Sequence, residues 1–233
     1  RSDLILAHEL KHMIGAIFDW DGVVIDSAVL HEKSWEILAK EINQMLPSDH
    51  FEKGFGKRNE TIIGSMLGWS DDKLEIIKLG NRKEEIYREL GVKEGIPLIA
   101  GSRNFITRLH RHSIPLVVGT STERKNIELA IEQNKLIGFF AGAVCSEDVS
   151  RGKPDPEVFL KAAQLINKDP QICIVFEDST HGIEAAVHAG MIPVGITTTN
   201  PKKELLDKGA ALVVDHLDEI DLPILEDLIK NRG

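Results

Sequence analysis

The 233-residue chain is poor in cysteine, in basic charge and in long apolar runs, and each shortage excludes a class of protein. Its two cysteines, Cys145 and Cys173, cannot build a disulfide framework. Both lie in apolar runs, which predicts buried thiols and suits a reducing compartment. The uncharged, mostly apolar stretch at residues 136–145 is roughly half the ~20 residues that a bilayer requires, and no membrane span is predicted. Lys and Arg total 28 against 37 Asp and Glu, a net charge of −9, which leaves no basic field for nucleic acid phosphates. Residues 1–12 lack the unbroken apolar segment and the small-residue cleavage site of a signal peptide. A cytoplasmic location is expected; because the chain starts at Arg1, a removed targeting segment and an organelle stroma stay open. No internal repeat or low-complexity segment is present.

What remains is an ordinary globular balance, 42% hydrophobic and 28% charged, which argues against disorder or a coiled coil. Short apolar or β-branched runs at 13–18, 115–119, 143–145, 172–176, 192–196 and 211–214 read as buried strands. Segments with helical spacing at 102–112, 123–135, 155–166, 181–189 and 202–208 alternate with them. Such alternation predicts an α/β fold, a doubly wound parallel sheet with helices on both faces. Residues 28–97 break the pattern, with helical runs at 29–41, 60–67 and 72–90 and no convincing strand. The expected organisation is therefore a core of residues 1–27 and 98–233 interrupted by a small helical domain, 28–97.

In a doubly wound sheet ligands gather at the carboxyl ends of the strands, so the residues after each apolar run carry the chemistry. The first run ends in Asp19-Trp20-Asp21-Gly22, two carboxylates that repel unless a cation or a proton intervenes. An isolated pattern of this kind is equally a capped turn, and an EF-hand fails because Leu30 stands where its twelfth-position Glu belongs. The second strand ends in Thr120-Ser121-Thr122, hydroxyls that could hold phosphate at a helix start or merely cap that helix. In Lys153-Pro154-Asp155-Pro156, Asp155 can cap a helix that Pro156 opens, but Lys153 has no such explanation. Glu177-Asp178-Ser179 sets adjacent acids behind a strand, suited to Mg²⁺ or to a turn capped by Asp178 or Ser179. All four motifs fall at one edge of the expected sheet. Mg²⁺ and Lys153 would offset the charges of Asp19, Asp21, Glu177 and Asp178 and make room for a phosphate dianion.

Phe18-Asp19-Trp20-Asp21-Gly22-Val23, Thr120, Lys153-Pro154-Asp155-Pro156 and Glu177-Asp178-Ser179-x-x-Gly182 occur in the order and approximate spacing of the haloacid dehalogenase superfamily. From Met13 to about Thr199 the chain resembles its phosphatase and β-phosphoglucomutase branch. The resemblance implies a Rossmann-like core, Mg²⁺, and Asp19 as the nucleophile that becomes an aspartyl phosphate. It makes Asp21 the general acid and base, its backbone carbonyl joining Asp19 and Asp178 around the metal, with Glu177 supporting the metal directly or through water. Thr120 and Lys153 would hold the phosphoryl oxygens, with Ser121 beside them. The second Asp separates this pattern from the haloacid dehalogenases themselves, which need no Mg²⁺, and points to phosphoryl transfer.

The helical stretch corresponds to the family's small cap, where His31, Arg58 and Lys83 are candidate substrate contacts and Lys57 could replace Arg58. Trp35, Trp69 and Tyr87 are expected in the cap core rather than against substrate. The leading reading is a Mg²⁺-dependent phosphatase acting on a small phosphorylated metabolite, such as a sugar phosphate, as a monomer or weak oligomer. A phosphomutase would use the same core. A non-catalytic receiver or binding module would also place acids at strand ends, but a cap inserted behind the first of them favours an enzyme that encloses a substrate.

Overall fold

A computed structural model describes residues 14–231 of the chain. Residues 1–12, with His8 and His12, and Met13 at the start of the first expected strand lie outside the described residues. Six parallel strands form one sheet: β1 (Gly15–Phe18), β2 (Leu116–Gly119), β3 (Ala143–Val144), β4 (Cys173–Glu177), β5 (Ile192–Ile196) and β6 (Leu212–Val214). Their order is β3-β2-β1-β4-β5-β6, so the chain winds outward from β1 in one direction and then returns to its other side. Every residue of β1, β2, β4 and β5 is buried, as expected for parallel strands covered on both faces.

The period of two along each strand sorts the core into two layers. Phe18, Val118 and Phe176 point to one face, where they meet Phe105, Ile106 and Leu109 of helix α4 (Ser102–Arg111) and Ile127 and Ala130 of α5 (Arg124–Gln133). Ile17, Val117 and Val175 point to the other, against Phe159 and Ala162 of α6 (Glu157–Leu165) and Ala185 and Ala186 of α7 (Thr180–His188). The register sets Phe18 opposite Phe176, and their rings stack with centroids 4.8 Å apart while Phe105 meets Phe176 edge-on at 5.1 Å.

Between β1 and β2 the chain forms α1 (Ala28–Glu41), α2 (His50–Gly54), a π-helical turn at Thr61–Met66 and the long α3 (Lys73–Glu94). Trp35, Leu38, Ile62, Ile63 and Ile86 make a separate apolar cluster there, with Trp69 against it; Tyr87 instead joins the cluster that reaches the sheet. The entry and exit strands of this insertion are zipped together, Asp26 N–H donating to Pro97 O at 2.8 Å and Ile99 N–H to Val24 O at 3.0 Å.

Element ends depart from sequence expectation where local signals were overridden. The helix expected at 60–67 is π-wound, and α3 runs past Leu90 to Glu94 before Gly95 ends it at φ 82°. Asp155 was expected to cap α6; Pro156 holds the cap position, although the Asp155 carboxylate still accepts from Glu157 N–H at 3.0 Å. Two helices were not foreseen, α2 and the C-terminal α9 (Leu222–Lys230), which follows α8 (Lys202–Asp207) and β6. Its signal was in the sequence: Asp221 accepts from Ile224 N–H at 2.9 Å, and Pro223 sits in the first turn. Both cysteines are buried without a disulfide, and burial pushes the Cys145 thiol up to about 12. Among the described residues no helix is long and apolar enough to cross a membrane.

The stacked phenylalanines hold the two central strands in register. Phe176→Ala is expected to lower the unfolding free energy by about 3–5 kcal/mol, the usual cost of emptying a buried aromatic site, as read from chemical denaturation.

Candidate active site

The carboxyl ends of β1, β2 and β4 meet where the strand order reverses, the crevice in which such sheets bind ligands. β1 hands the chain directly to Asp19, whose N–H donates to Phe176 O at 3.0 Å. The fully buried Trp20 then anchors a tight turn: its carbonyl accepts from Val23, Val24 and Ile25 N–H at 3.3, 2.9 and 3.1 Å. Gly22 adopts φ 78° in this turn, and a Cβ there would collide with Asp178 Oδ2, so glycine is required both by conformation and by space. The turn sends Asp19 and Asp21 in different directions, one toward β4 and the other toward the insertion.

Asp19 faces the acids of β4. Lys153 Nζ lies 2.9 Å from Asp19 Oδ1 and 2.6 Å from Glu177 Oε1. The second oxygen of Glu177 accepts from the N–H and hydroxyl of Ser179, each at 3.0 Å. Ser179 in turn caps α7 by accepting from Gly182 N–H at 3.0 Å, which settles the alternative between it and Asp178. A Cβ at Gly182 would collide with Glu177, so that glycine leaves the carboxylate its place. Asp178 Oδ2 accepts from the Thr199 hydroxyl, and its backbone carbonyl from Asn200 Nδ2 at 3.0 Å.

Three buried carboxylates therefore share one ammonium, leaving two negative charges without compensation. Burial and the Glu177 charge push Asp19 up to about 7 despite Lys153, and Asp178 is raised well above its usual range by burial and by Glu177 and Asp19. Burial alone would lower Lys153, but its two carboxylate partners outweigh that and hold it above its ordinary value. Oxygens of Asp19, Glu177 and Asp178 all lie within 4.8 Å of one another. An all-oxygen donor set with two excess negative charges fits a hard divalent cation.

Asp21 faces the other way. Its Oδ1 accepts from Ser27 Oγ at 2.5 Å and from His31 Nε2 at 3.1 Å, and its Oδ2 accepts from the Thr122 hydroxyl. Burial would raise this carboxyl, but the hydrogen bonds from His31, Ser27 and Thr122 outweigh it and hold Asp21 well below the usual carboxylate range. The Asp21 side chain is thus apart from the acid cluster. His31 stacks on Tyr87 at 4.2 Å, and its Nδ1 lies 2.6 Å from Lys83 Nζ.

The other sequence-derived candidates surround the same opening. Asp19, Asp21, His31, Arg58, Lys83, Thr120, Ser121, Lys153 and Asp178 line a cleft of about 980 Å³ between the insertion and the sheet, with Glu177 beneath its floor. None of the hydroxyls of Thr120, Ser121 and Thr122 caps α5, whose cap position is Glu123; Thr120 Oγ1 instead accepts from Thr122 N–H at 3.1 Å. Arg58 spans the cleft, donating to Ser146 O at 2.9 Å and Val149 O at 3.2 Å on the loop after β3. Lys57 lines the cleft too, but its ammonium is 3.9 Å from Met66 Sδ. Lys83 is buried and paired with Glu84 at 2.9 Å. Sequence reasoning missed Ser27 and Thr199, single hydroxyls with no recognisable spacing to their partners, and it gave Thr122 to phosphate or a helix cap where the structure gives it to Asp21.

In chelator the acid cluster has a stability signature. Asp19 and Asp178 bind protons more tightly folded than unfolded, so their contribution to stability is greatest at low pH and declines as pH rises from about 4 through about 7. In chelator, Asp178→Asn is expected to raise the melting temperature at about pH 8 and flatten this decline, because it removes one buried negative charge. Thermal melts across the pH range measure both.

A family model for haloacid dehalogenase-like hydrolases matches residues 16–196. The chain is 40% identical, over 92% of its length, to the chloroplastic 5-amino-6-(5-phospho-D-ribitylamino)uracil phosphatase of Arabidopsis thaliana, of which it spans 57%. It is 30% identical to β-phosphoglucomutase of Bacillus subtilis, covering 92% of this chain and 95% of that one. The crystal structure of a HAD hydrolase, family IA, variant 3, from Entamoeba histolytica superposes with a TM-score of 0.85 at 32% identity, covering 94% of this chain and all of that one. By sequence, fold and the arrangement of acids at the strand ends, the chain belongs to the haloacid dehalogenase-like hydrolase family.

Proposed function

We propose that the chain is a Mg²⁺-dependent phosphatase that hydrolyses a small phosphorylated metabolite, a sugar or sugar-alcohol phosphate, through an aspartyl phosphate. The observation that carries this reading is the division of labour after β1: Asp19 in an acid cluster with one ammonium, Asp21 in a separate nest of three donors. Asp19, Glu177, Asp178 and the backbone carbonyl of Asp21 would hold Mg²⁺. The ion would supply charge neutralisation, so that a carboxylate can approach a phosphate dianion.

Asp19 attacks phosphorus, the bond to the leaving oxygen breaks, and Asp21 in its protonated form gives that oxygen a proton. Water then attacks the phosphoryl group of the aspartyl phosphate, the bond to Asp19 breaks, and Asp21 as carboxylate takes the water's proton. The donors around Asp21 hold the ionised form, the one this second step uses. Lys153, Thr120 and Ser121 bind phosphoryl oxygens, Lys153 being already placed against the nucleophile. Arg58 brings the insertion's charge to the leaving-group side, where His31 and Lys83 line the same wall of the cleft. The domain division at 28–97 serves this arrangement, the helical part covering the cleft as a cap.

A phosphomutase reading is favoured by the likeness to the Bacillus enzyme; it would pass the same phosphoryl group to a sugar hydroxyl. The names of two relatives favour hydrolysis instead: the Arabidopsis protein and the Thermotoga maritima phosphorylated carbohydrates phosphatase, 28% identical, are both phosphatases. The two buried thiols suit a reducing compartment, cytoplasm or organelle stroma, and a monomer or weak oligomer is expected.

Asp19→Asn, which keeps shape but not nucleophilicity, is expected to leave less than ~1% of wild-type phosphate release with the fold intact. Residual activity above that level in a preparation free of wild type would remove Asp19 from the role. Chelation is expected to abolish activity and Mg²⁺ to restore it, with Ca²⁺ inhibiting because its looser coordination misplaces the attacking carboxylate. Full turnover in excess chelator would overturn the metal assignment. Incubation with β-glucose 1-phosphate and a trace of glucose 1,6-bisphosphate separates the two readings: free phosphate is expected, and faster formation of glucose 6-phosphate would favour the mutase.

A further inference from the structure

Glu84 lies on α3 with only 5% of its surface exposed, and its carboxylate is fully engaged. Oε1 accepts from Lys83 Nζ at 2.9 Å and Asn59 Nδ2 at 2.8 Å, both within the insertion. Oε2 accepts from Asn126 Nδ2 at 2.6 Å, and Asn126 belongs to α5 of the sheet domain. The orientation of the Asn126 amide follows from its other contact, because Arg88 Nη1 donates to its Oδ1 at 2.9 Å; a flipped amide would oppose donor to donor and acceptor to acceptor. The same arginine nitrogen lies 3.1 Å from Glu123 Oε2, a second tie between α3 and the start of α5.

On the other side of Glu84, Lys83 has consequences for a proton. An ammonium has only donors, so His31 Nδ1, 2.6 Å from Lys83 Nζ, is the acceptor of that pair. The ring proton of neutral His31 then sits on Nε2, where it donates to Asp21 Oδ1 at 3.1 Å. Thr122, which donates to Asp21 Oδ2, lies just ahead of α5, and Asn126 lies in its first turn. Thr122, Asp21, His31, Lys83, Glu84 and Asn126 therefore form a closed circuit that starts and ends on one segment of the core and passes through α1 and α3. Lifting the insertion off α5 would open it.

We propose that Glu84 is a positioning residue for Asp21: it clasps the insertion to α5 and, through Lys83, fixes His31 as the Nε2–H donor that orients the Asp21 carboxylate. The inference rests on the reading of Asp21 as the acid–base group. Lys83 is buried, its ammonium 5.3 Å from the Trp35 ring and 5.6 Å from the Tyr87 ring, and Glu84 is its one carboxylate partner among the described residues. Removing the charge of Glu84 leaves that buried ammonium without its carboxylate, so it moves from its place and releases His31 Nδ1. The Lys83 charge in turn helps to hold Glu84 ionised against the cost of its burial.

The test compares Glu84→Gln with wild type on p-nitrophenyl phosphate and benzyl phosphate, esters of similar size whose leaving groups differ greatly in acidity. Nitrophenolate leaves without a proton, whereas the benzyl alkoxide needs one from Asp21. The variant is expected to lose about tenfold or more kcat/KM on benzyl phosphate beyond its loss on the nitrophenyl ester, within the range of general acid catalysis. Equal losses would mean that Glu84 only holds the fold together, and would overturn the proposal. Asn126→Ala, which cuts the core side of the clasp, is expected to show the same selective loss and serves if Glu84→Gln does not fold. Independently, ¹⁵N-detected imidazole spectra should show His31 in the Nε2–H form in wild type and a mixture in the variant; an unchanged tautomer would also overturn the inference. If wild type hydrolyses neither ester, the functional reading fails while the tautomer measurement still decides this one.

Discussion

Burying Asp19, Glu177 and Asp178 around the single ammonium of Lys153 is the constraint on which the rest of the site depends. Carboxylates removed from water at this separation repel strongly, and one cation answers only part of their charge. The protein satisfies what it can locally: Ser179 bonds Glu177, Thr199 bonds Asp178, and Lys153 divides itself between Asp19 and Glu177. What is left over is a deficit of positive charge at the floor of a cleft. That deficit destabilises the folded chain, and it is the charge that the proposed divalent cation would offset.

The parallel sheet makes this concentration possible because it delivers several strand ends to one place. β1, β2 and β4 are adjacent, so Asp19, Thr120 and Glu177 reach the crevice as continuations of buried strands. Phe18 and Phe176 fix the register just below the acids, and Gly22 and Gly182 remove the side chains that would otherwise displace Asp178 and Glu177. Packing thus aims the carboxylates before any ligand arrives, which reduces the reorganisation that a reaction would require.

The insertion contributes through a different interaction. Asp21 points away from the acid cluster into a nest of donors drawn from the linker, α1 and the start of α5, so its environment joins two parts of the chain. Arg58 crosses to the loop after β3, and Glu84 and Arg88 cross to α5. The contacts that seat the insertion against the sheet are thus linked to those that orient Asp21.

Much of this was legible in the chain itself. Short β-branched runs separated by helical periodicities determined an α/β fold, since only a sheet buried on both faces calls for strands that are apolar throughout, and the motifs after those runs pointed to one edge. The acids announced themselves because two carboxylates two residues apart, or side by side, are costly behind a buried strand. Other features had no local signal. The hydroxyls of Ser27 and Thr199 read as ordinary loop residues until the fold set them against Asp21 and Asp178, Thr122 read as a phosphate or cap hydroxyl rather than a partner of Asp21, and Asn126 read as one polar residue among several in a helix. The π-wound turn at Thr61–Met66 and the burial of Lys83 likewise follow from how α1 and α3 pack, not from propensity. Residue type and periodicity determined which groups would be present at the strand ends. Which oxygen faces which donor, and so which carboxylate keeps its proton, was decided only when tertiary packing fixed distances of a few ångströms, because electrostatic and hydrogen-bond energies change steeply over that range.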